Sequence, residues 1–420
     1  MKKHTNVLLV NGHSMHESNS TGITLRSIVS YFHPNSIQEV FYYPINITNQ
    51  PNNYHSIQLD PRTKLIYPFF KKIYSGKIKE EIDKTVLTGE LHHKVSALQW
   101  AKRYILALDD YLPFTMKFNI SQNNKIDEFG PQVIYTLGSS IFTLGLSLYY
   151  SKRYNIPIVL HHMDNWRETK YNFLNYINPF RKKLITKLNE TECLMKCGLT
   201  ISDEMAEYYK TVSGKKYLSL MNTVPNLKIP IQRCRLDGKI NIVYAGGLHL
   251  DRWKVLREIE NAIKSLGLTK AKVQLIVFTK DSDRKKYEGL FDSSITMFYD
   301  FLPHDQVYKA YEMADILLHV ESFDGQLVKF TKFSISTKIP EYMSTGRPII
   351  CYAPKDLAVY KYIEKNICGI SVSNKTELNQ SLQTLINDEN KRIEMGSMGQ
   401  SVCSIKHSEE YKNKVMEDVF

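Results

Sequence analysis

Apolar residues in this chain come in short continuous runs separated by segments of helical period. In the first half the runs read NVLLVNG, SIQEVFYY, PQVIYTL, IPIVLHH, CGLTIS and KYLSLMN. In the second they read INIVYAGG, VQLIVFT, SITMFYD, DILLHVE, PIICYA and GISVS. Runs of this length without strict alternation predict strands buried on both faces, and the helical segments between them predict α/β layering with mostly parallel sheets. Between the second and third runs lies a bulky, aromatic helical region, roughly residues 62–120. Such an insertion can shape a substrate cleft or simply extend a core. After Asn222 the text TVPNLKIPIQRCRLDGK has two prolines and no periodicity, so residues 226–238 read as a linker. The expected domains are therefore 1–225 and 239–404, followed by a terminal helical segment, 405–420.

Length agrees with that division, since 420 residues suit two cores of ~200 residues each. An apolar fraction of 43% and a charged fraction of 23% are those of a soluble globular protein. The longest apolar stretch, SSIFTLGLSLYY, falls short of the ~18 residues a membrane helix needs. The N-terminal MKKHTNVLLVNGHS has too short an apolar run for a signal peptide and reads as a first strand, which predicts a cytoplasmic protein. Six cysteines without C-x2-C spacing argue against a zinc site or a disulfide framework. Cys193 and Cys197, four apart on an expected helix, read as buried thiols.

The formal charge of +12 changes the picture more, because it calls for an anionic partner. Nucleic acid, an anionic membrane surface and phosphorylated substrates all qualify. No recognition helix, aromatic RNP strand or zinc knuckle is present, which removes nucleic acid. KRYILALDDYLPFTMKF and NPFRKKLITKLNE mix basic with apolar residues, a pattern that suits peripheral contact with an anionic membrane or an ordinary solvated helix face. Neither half carries a G-x-G-x-x-G turn, which argues against a nicotinamide or flavin dinucleotide.

The most informative segment is FSISTKIPEYMSTGRPIICYAP, residues 333–354. Thr337 is placed to cap a short helix with its hydroxyl, and Pro340 at the third helical position lacks only an N–H that has no partner there. Gly346 would end the helix in a left-handed turn before the strand PIICYA. Lys338 is out of place by dipole arguments, since a cation in the first turn is disfavoured by roughly 0.3–1 kcal/mol. An anion over the helix end, held by Lys338 and free N–H groups near Ser336 and Thr337, would account for it. Glu341, one turn on, could accept hydrogen bonds from hydroxyls attached to that anion. Phosphate beside a diol describes a sugar nucleotide; a solvated amphipathic helix is the plainer alternative.

The same residues resemble the donor-site helix of GT-B glycosyltransferases, close to the retaining family 4. That family carries E-A-M-A-x-G-x-P where this chain has Glu341, Tyr342, Met343, Ser344, Thr345, Gly346, Arg347 and Pro348. The resemblance implies two Rossmann-like domains with a cleft between them, a last helix crossing back to the first domain, and a ribose contact at Glu341. The chain departs from the pattern where a first glutamate is expected, because that position is Phe333. Glu321, at the end of DILLHVES, is the nearest substitute. Family members also neutralise the donor diphosphate from the loop after the first strand of the second domain, here Gly246-Gly247-Leu248-His249-Leu250-Asp251-Arg252. The expected arginine is Gly247, and Arg252 falls where a lysine would stand. In the first domain Gly22 is expected in the turn before a helix; the resemblance points to it facing the diphosphate, and a plain strand-to-helix turn accounts for it equally well. His161 and His162, at the end of IPIVLHH, and Asp164 just beyond it would lie near the reacting sugar, with one of the two histidines reaching the cleft because successive strand residues point opposite ways, and Gly138, Ser139 and Ser140 would line its site. Residues Phe301 to His304 would approach the base.

These readings predict a glycosyltransferase that moves a sugar, with a UDP-sugar as the leading donor, to a glycan or lipid-linked acceptor. It would act with retention and without a metal or cofactor, at the inner face of the plasma membrane in surface polysaccharide synthesis. Two alternatives stand beside it. One is a non-catalytic GT-B accessory protein that stabilises a partner enzyme, and the other is a GT-B sugar-nucleotide epimerase, which needs no acceptor.

Overall fold

A computed structural model describes residues 3–16, 20–41, 55–59, 104, 107–108, 111, 120–172, 178–224, 238–268, 272–303 and 306–420. The expected insertion at 62–120 lies outside them apart from Tyr104, Ala107, Leu108, Tyr111 and Ile120, and the expected linker lies outside them up to Gly238. The chain divides into two compact units. One gathers the described residues up to Asn222 together with Asn413–Phe420, and the other holds Thr223–Lys412.

The first unit is built on strands β1 (Val7–Asn11), β2 (Ile37–Phe41), β3 (His55–Gln58), β4 (Val133–Thr136), β5 (Ile158–His162), β6 (Met195–Thr200) and β7 (Tyr217–Ser219). They form one parallel sheet in the order β3-β2-β1-β4-β5-β6-β7. β1, β2, β4 and β5 are buried along their whole length, as continuous apolar runs require when helices cover both faces. β3 has no counterpart among the expected strands, because HSIQ is too polar to register as an apolar run. The helix Ile141–Tyr154 starts on a capping box, with Ser140 and Thr143 satisfying each other's backbone N–H. Phe420 packs edge-on against Phe32, with ring centroids 4.9 Å apart, which seats the chain end on this unit.

The second unit repeats the plan with β8 (Ile240–Ala245), β9 (Val273–Thr279), β10 (Thr296–Asp300), β11 (Ile316–Val320), β12 (Ile349–Tyr352) and β13 (Gly369–Val372). Its parallel sheet runs β10-β9-β8-β11-β12-β13, with Ile242 opposite Ile316 and Val243 opposite Leu317. The order reverses direction between β8 and β11, and open sheets bind ligands at the strand carboxyl ends beside such a reversal. Leu256, Ile259, Ile263, Leu275, Val277, Leu318, Ile350 and Leu382 form part of one core, fully or almost fully buried. The long helix Glu389–Lys406 closes on the short helix Lys338–Ser344. A Cβ at Gly396 would sit 1.9 Å from the Gly346 carbonyl oxygen, so only glycine permits that approach. Gln400 donates to the Ser344 carbonyl at 3.2 Å, which braces the short helix from behind.

One local expectation changes. Cys193 is the exposed last residue of the helix Pro179–Cys193, whereas Cys197 is buried in β6, so the two share no helix face. No helix among the described residues is long and apolar enough to cross a membrane.

Candidate functional site

The second unit concentrates charge at the β8–β11 switch point. Leaving β8, Gly246 donates its N–H to the Phe278 carbonyl at 2.9 Å, and the Tyr244 hydroxyl donates to the Gly247 carbonyl at 2.7 Å. The Leu248 N–H is held by Asp283 Oδ2 at 2.8 Å. Leu250 and Asp251 both adopt left-handed backbone at φ 58°, a conformation costing roughly 1–2 kcal/mol per residue away from glycine. That turn is tight enough for the helix Arg252–Ser265 to begin at once, with Arg252 as its first residue.

Arg252 Nη2 lies 2.7 Å from Glu321 Oε1 and 3.0 Å from Oε2. Strand alternation puts His319 on the same face as Glu321, and its Nε2 lies 3.2 Å from Glu321 Oε1. Burial alone would raise the Glu321 carboxyl, but the Arg252 charge and His319 outweigh it and hold it at about 2. Glu321 is thus a fixed anion. Arg252 Nε is buried with no hydrogen-bond partner among the described residues.

Lys338 approaches this pair from the helix Lys338–Ser344. Its residue is half-buried, but the amine turns inward: Nζ lies 2.1 Å from where a Gly246 Cβ would be, and 5.6 Å from the centre of the Tyr244 ring. Burial and then the Arg252 charge push the ammonium down to about 8, against the pull of Glu341 and Glu321. Gly246 contributes space, since its N–H is spent on the sheet. Glu341 is half-buried, and its Oε2 accepts the Tyr311 hydroxyl at 2.8 Å.

The helix start differs from the sequence expectation. Thr337 stands at the cap position, but its backbone is helical (φ −55°, ψ −20°) and its hydroxyl makes no capping bond. Capping needs an extended backbone that turns the side chain toward the helix end. Ser336 takes the part instead, its hydroxyl accepting the Lys338 N–H at 3.4 Å. Phe333, at the place of the absent first glutamate, is buried. Phe301 to Pro303 follow β10, while His304 lies outside the described residues.

In the first unit, successive residues of β5 face opposite sides of the sheet. His161 Nδ1 lies 2.6 Å from the Tyr135 hydroxyl, and His162 stacks on Tyr209 with centroids 3.7 Å apart and planes at 6°. Both imidazoles are 0% exposed. Burial pushes His161 down to about 3, and burial, His161 and Arg167 push His162 well below its usual range. Asp164 is partly exposed, and its carbonyl accepts the Trp166 N–H at 2.8 Å; the cap position of the next helix belongs to Asn165. Gly138 has φ 62°, with no room for a Cβ beside Leu160, and Ser140 is committed to its capping box. Gly22 is the third residue of the helix Ser20–Val29, not part of a turn before it.

The structure thus gathers Arg252, Glu321, Lys338 and Gly246 in one place, with Glu341 on the same short helix as Lys338. Sequence reasoning passed over His319, His249 and Tyr311. The period of two in DILLHVE could have found His319. His249 packs its ring where a Gly247 Cβ would stand, and burial with Arg252 pushes it down to about 4.

No sequence-family model matches this chain, and no curated protein matches it in sequence. Solved structures do match in fold. HepE from Anabaena, in complex with UDP, has a TM-score of 0.62 at 12% identity over 100% of this chain and 99% of its own. Sucrose-phosphate synthase from Thermosynechococcus elongatus has a TM-score of 0.61 at 11% identity, over 98% and 97%. MurG from Acinetobacter baumannii has a TM-score of 0.52 at 13% identity, over 98% and 99%. At such identities the likeness lies in the fold, and this chain, with its two Rossmann-like units, has the GT-B fold.

Proposed function

We propose that this protein is a glycosyltransferase that uses a nucleoside diphosphate sugar, with a UDP-sugar as the leading donor. The observation that carries the reading is the Arg252–Glu321–Lys338 cluster at the switch point of the second sheet, with Glu341 one turn beyond Lys338. Nη2 of Arg252 is committed to Glu321, so its remaining donors, including the unpartnered Nε, are available to a phosphate oxygen. The Lys338 ammonium supplies a second positive group, and Glu341 an acceptor for ribose hydroxyls. HepE, which shares the fold, has been solved with UDP and glucose, and that supports UDP as the first nucleotide to test.

In this reading, breaking the bond between sugar and diphosphate builds negative charge on the leaving group, and Lys338 and Arg252 stabilise it where it develops. Side chains would supply that charge in place of a divalent ion. Retention of configuration, a glycan or lipid-linked acceptor, and work on surface polysaccharide at the cytoplasmic membrane face all follow from the family resemblance. Basic residues on the helix Pro179–Cys193 are suited to an anionic membrane. His161 and Asp164 remain the proposed residues near the reacting sugar, with His162 beside them as a packed support stacked on Tyr209.

Calorimetric titration with UDP, GDP, dTDP and ADP, alongside Glu341→Ala, tests the reading. Selective micromolar binding that the variant loses is expected. A second reading, an accessory protein without catalysis, is favoured by Phe333 at the place of the first glutamate. It would gain if no nucleotide bound and activity required a partner chain.

A further inference from the structure

The Glu341 carboxylate does not stand alone in its helix. The Tyr311 hydroxyl donates to its Oε2 at 2.8 Å from the helix Val307–Glu312, which precedes β11. Tyr311 is 0% exposed, and its ring meets Tyr342 edge to face with centroids 4.9 Å apart and planes at 85°. Tyr308 also meets it edge to face, with centroids 5.6 Å apart. A fully buried phenol packed against two aromatic rings can aim its hydroxyl in few directions. Its bond to a carboxylate is charge-assisted, and so stronger than a neutral one.

We infer that Tyr311 is a positioning residue that sets the nucleotide site's preference for a ribose over a deoxyribose. The inference rests on the donor-site reading above. A glutamate side chain has three rotatable bonds, and one fixed carboxylate oxygen removes most of that freedom before a ligand arrives. The carboxylate as a whole is then held in one orientation toward the hydroxyls of a diol. A ligand lacking one of those hydroxyls leaves the fixed acceptor partly unsatisfied, and sites built on such bonds reject the analogue strongly. Without Tyr311 the carboxylate can turn to whatever is present, so it discriminates less. Tyr311 itself touches no ligand in this scheme.

The test compares UDP with 2′-deoxy-UDP by calorimetry on the full chain, in wild type, Tyr311→Phe, Glu341→Ala and the double variant. Wild type should prefer UDP. Tyr311→Phe should lose about tenfold of that preference, the size expected for one hydrogen bond to a charged group, with UDP binding still measurable. In the Glu341→Ala background the same change should alter neither affinity, because the two residues act as one unit. An unchanged preference in Tyr311→Phe, or an independent effect in the double variant, overturns the inference and leaves the donor site standing. Failure of wild type to bind UDP or any other diphosphate overturns the donor-site reading and the inference with it. Glu341→Asp guards against a poorly folded tyrosine variant. It keeps the charge but is one methylene short of Tyr311, and it should lose the same preference; retention would count against Tyr311.

Discussion

Arg252 and Glu321 form an ion pair at 2.7 Å and 3.0 Å across the switch point of the second sheet, with the carboxylate 6% exposed and the guanidinium 16%. In so little water the two charges depend on each other. Removing one partner leaves the other buried and uncompensated, at a cost of about 3–5 kcal/mol. Glu321→Ala and Arg252→Ala should each lower the unfolding free energy of the second unit, read from urea titration, by that amount, and the double variant should lose much less than their sum. Additive losses would show that the pair does not exist. Acid should reveal the same bond. Glu321 is held at about 2, below the usual carboxylate range, so its contribution is complete above about pH 4.5 and lost as the pH falls toward 2. Glu321→Gln should lack that part of the acid transition.

Gly246 and Gly369 make a matched contrast. A Cβ at Gly246 would meet the tip of a flexible side chain, Lys338 Nζ, at 2.1 Å, and the tip of the Tyr244 side chain, its hydroxyl, at 2.9 Å. A Cβ at Gly369 would meet the Ile349 backbone oxygen at 1.9 Å, inside the sheet. Gly246→Ala should therefore leave the thermal midpoint within a few degrees of wild type, while displacing Lys338 and weakening UDP at least ~10-fold. Gly369→Ala should fail to fold or melt far lower. Unchanged UDP binding in Gly246→Ala would remove Lys338 from the nucleotide site.

The strands were legible because both sheets are covered on two faces, which turns each central strand into an unbroken apolar run. β3 was not, since an edge strand can stay polar. The helix Lys338–Ser344 announced itself through Pro340 and Gly346, which act locally. Its capping residue did not, because Ser336 and Thr337 are equivalent in sequence and only the backbone angles distinguish them. The partnership of Arg252 with Glu321 was hidden for another reason. It spans 69 positions and depends on β8 lying beside β11, a topological fact that no local pattern carries. Tyr311 was hidden likewise, reaching Glu341 from a different helix across 30 positions.

Lys338 should make nucleotide affinity depend on mild alkali. Its ammonium is pushed down to about 8 by burial and then by Arg252, so near that pH the free protein holds it only partly charged. A bound diphosphate would favour the charged form. UDP affinity should then fall as the pH rises through about 8, with uptake of close to one proton on binding above that pH. In the free protein the sign is opposite. The unfolded chain keeps its lysine proton to about pH 10.4, so stability should rise between about pH 8 and 10. Lys338→Met should abolish both trends. Buffers of different ionisation enthalpy, compared by calorimetry, read the proton uptake directly, and a flat profile in wild type would place Lys338 outside the site.

His162 offers a way to separate the two histidines of β5. Its ring is stacked on Tyr209, neither nitrogen has a partner among the described residues, and burial, then His161 and Arg167, hold it neutral far below its usual range. Below about pH 6.5 the unfolded chain binds a proton here that the folded unit refuses. Stability should therefore be complete above that pH and decline below it, by up to about 1.4 kcal/mol per pH unit for each such group. Phenylalanine preserves the stack and has nothing to protonate. His162→Phe should match wild type near neutral pH and decline less steeply in acid, with His161, held at about 3, accounting for slope that remains. Sugar transfer should survive in this variant, because the ring is engaged in packing. Urea midpoints between pH 4 and 7 check the first expectation and product formation checks the second. An unaltered acid slope would mean that His162 accepts a proton in the folded unit, and lost transfer would assign it to the reaction.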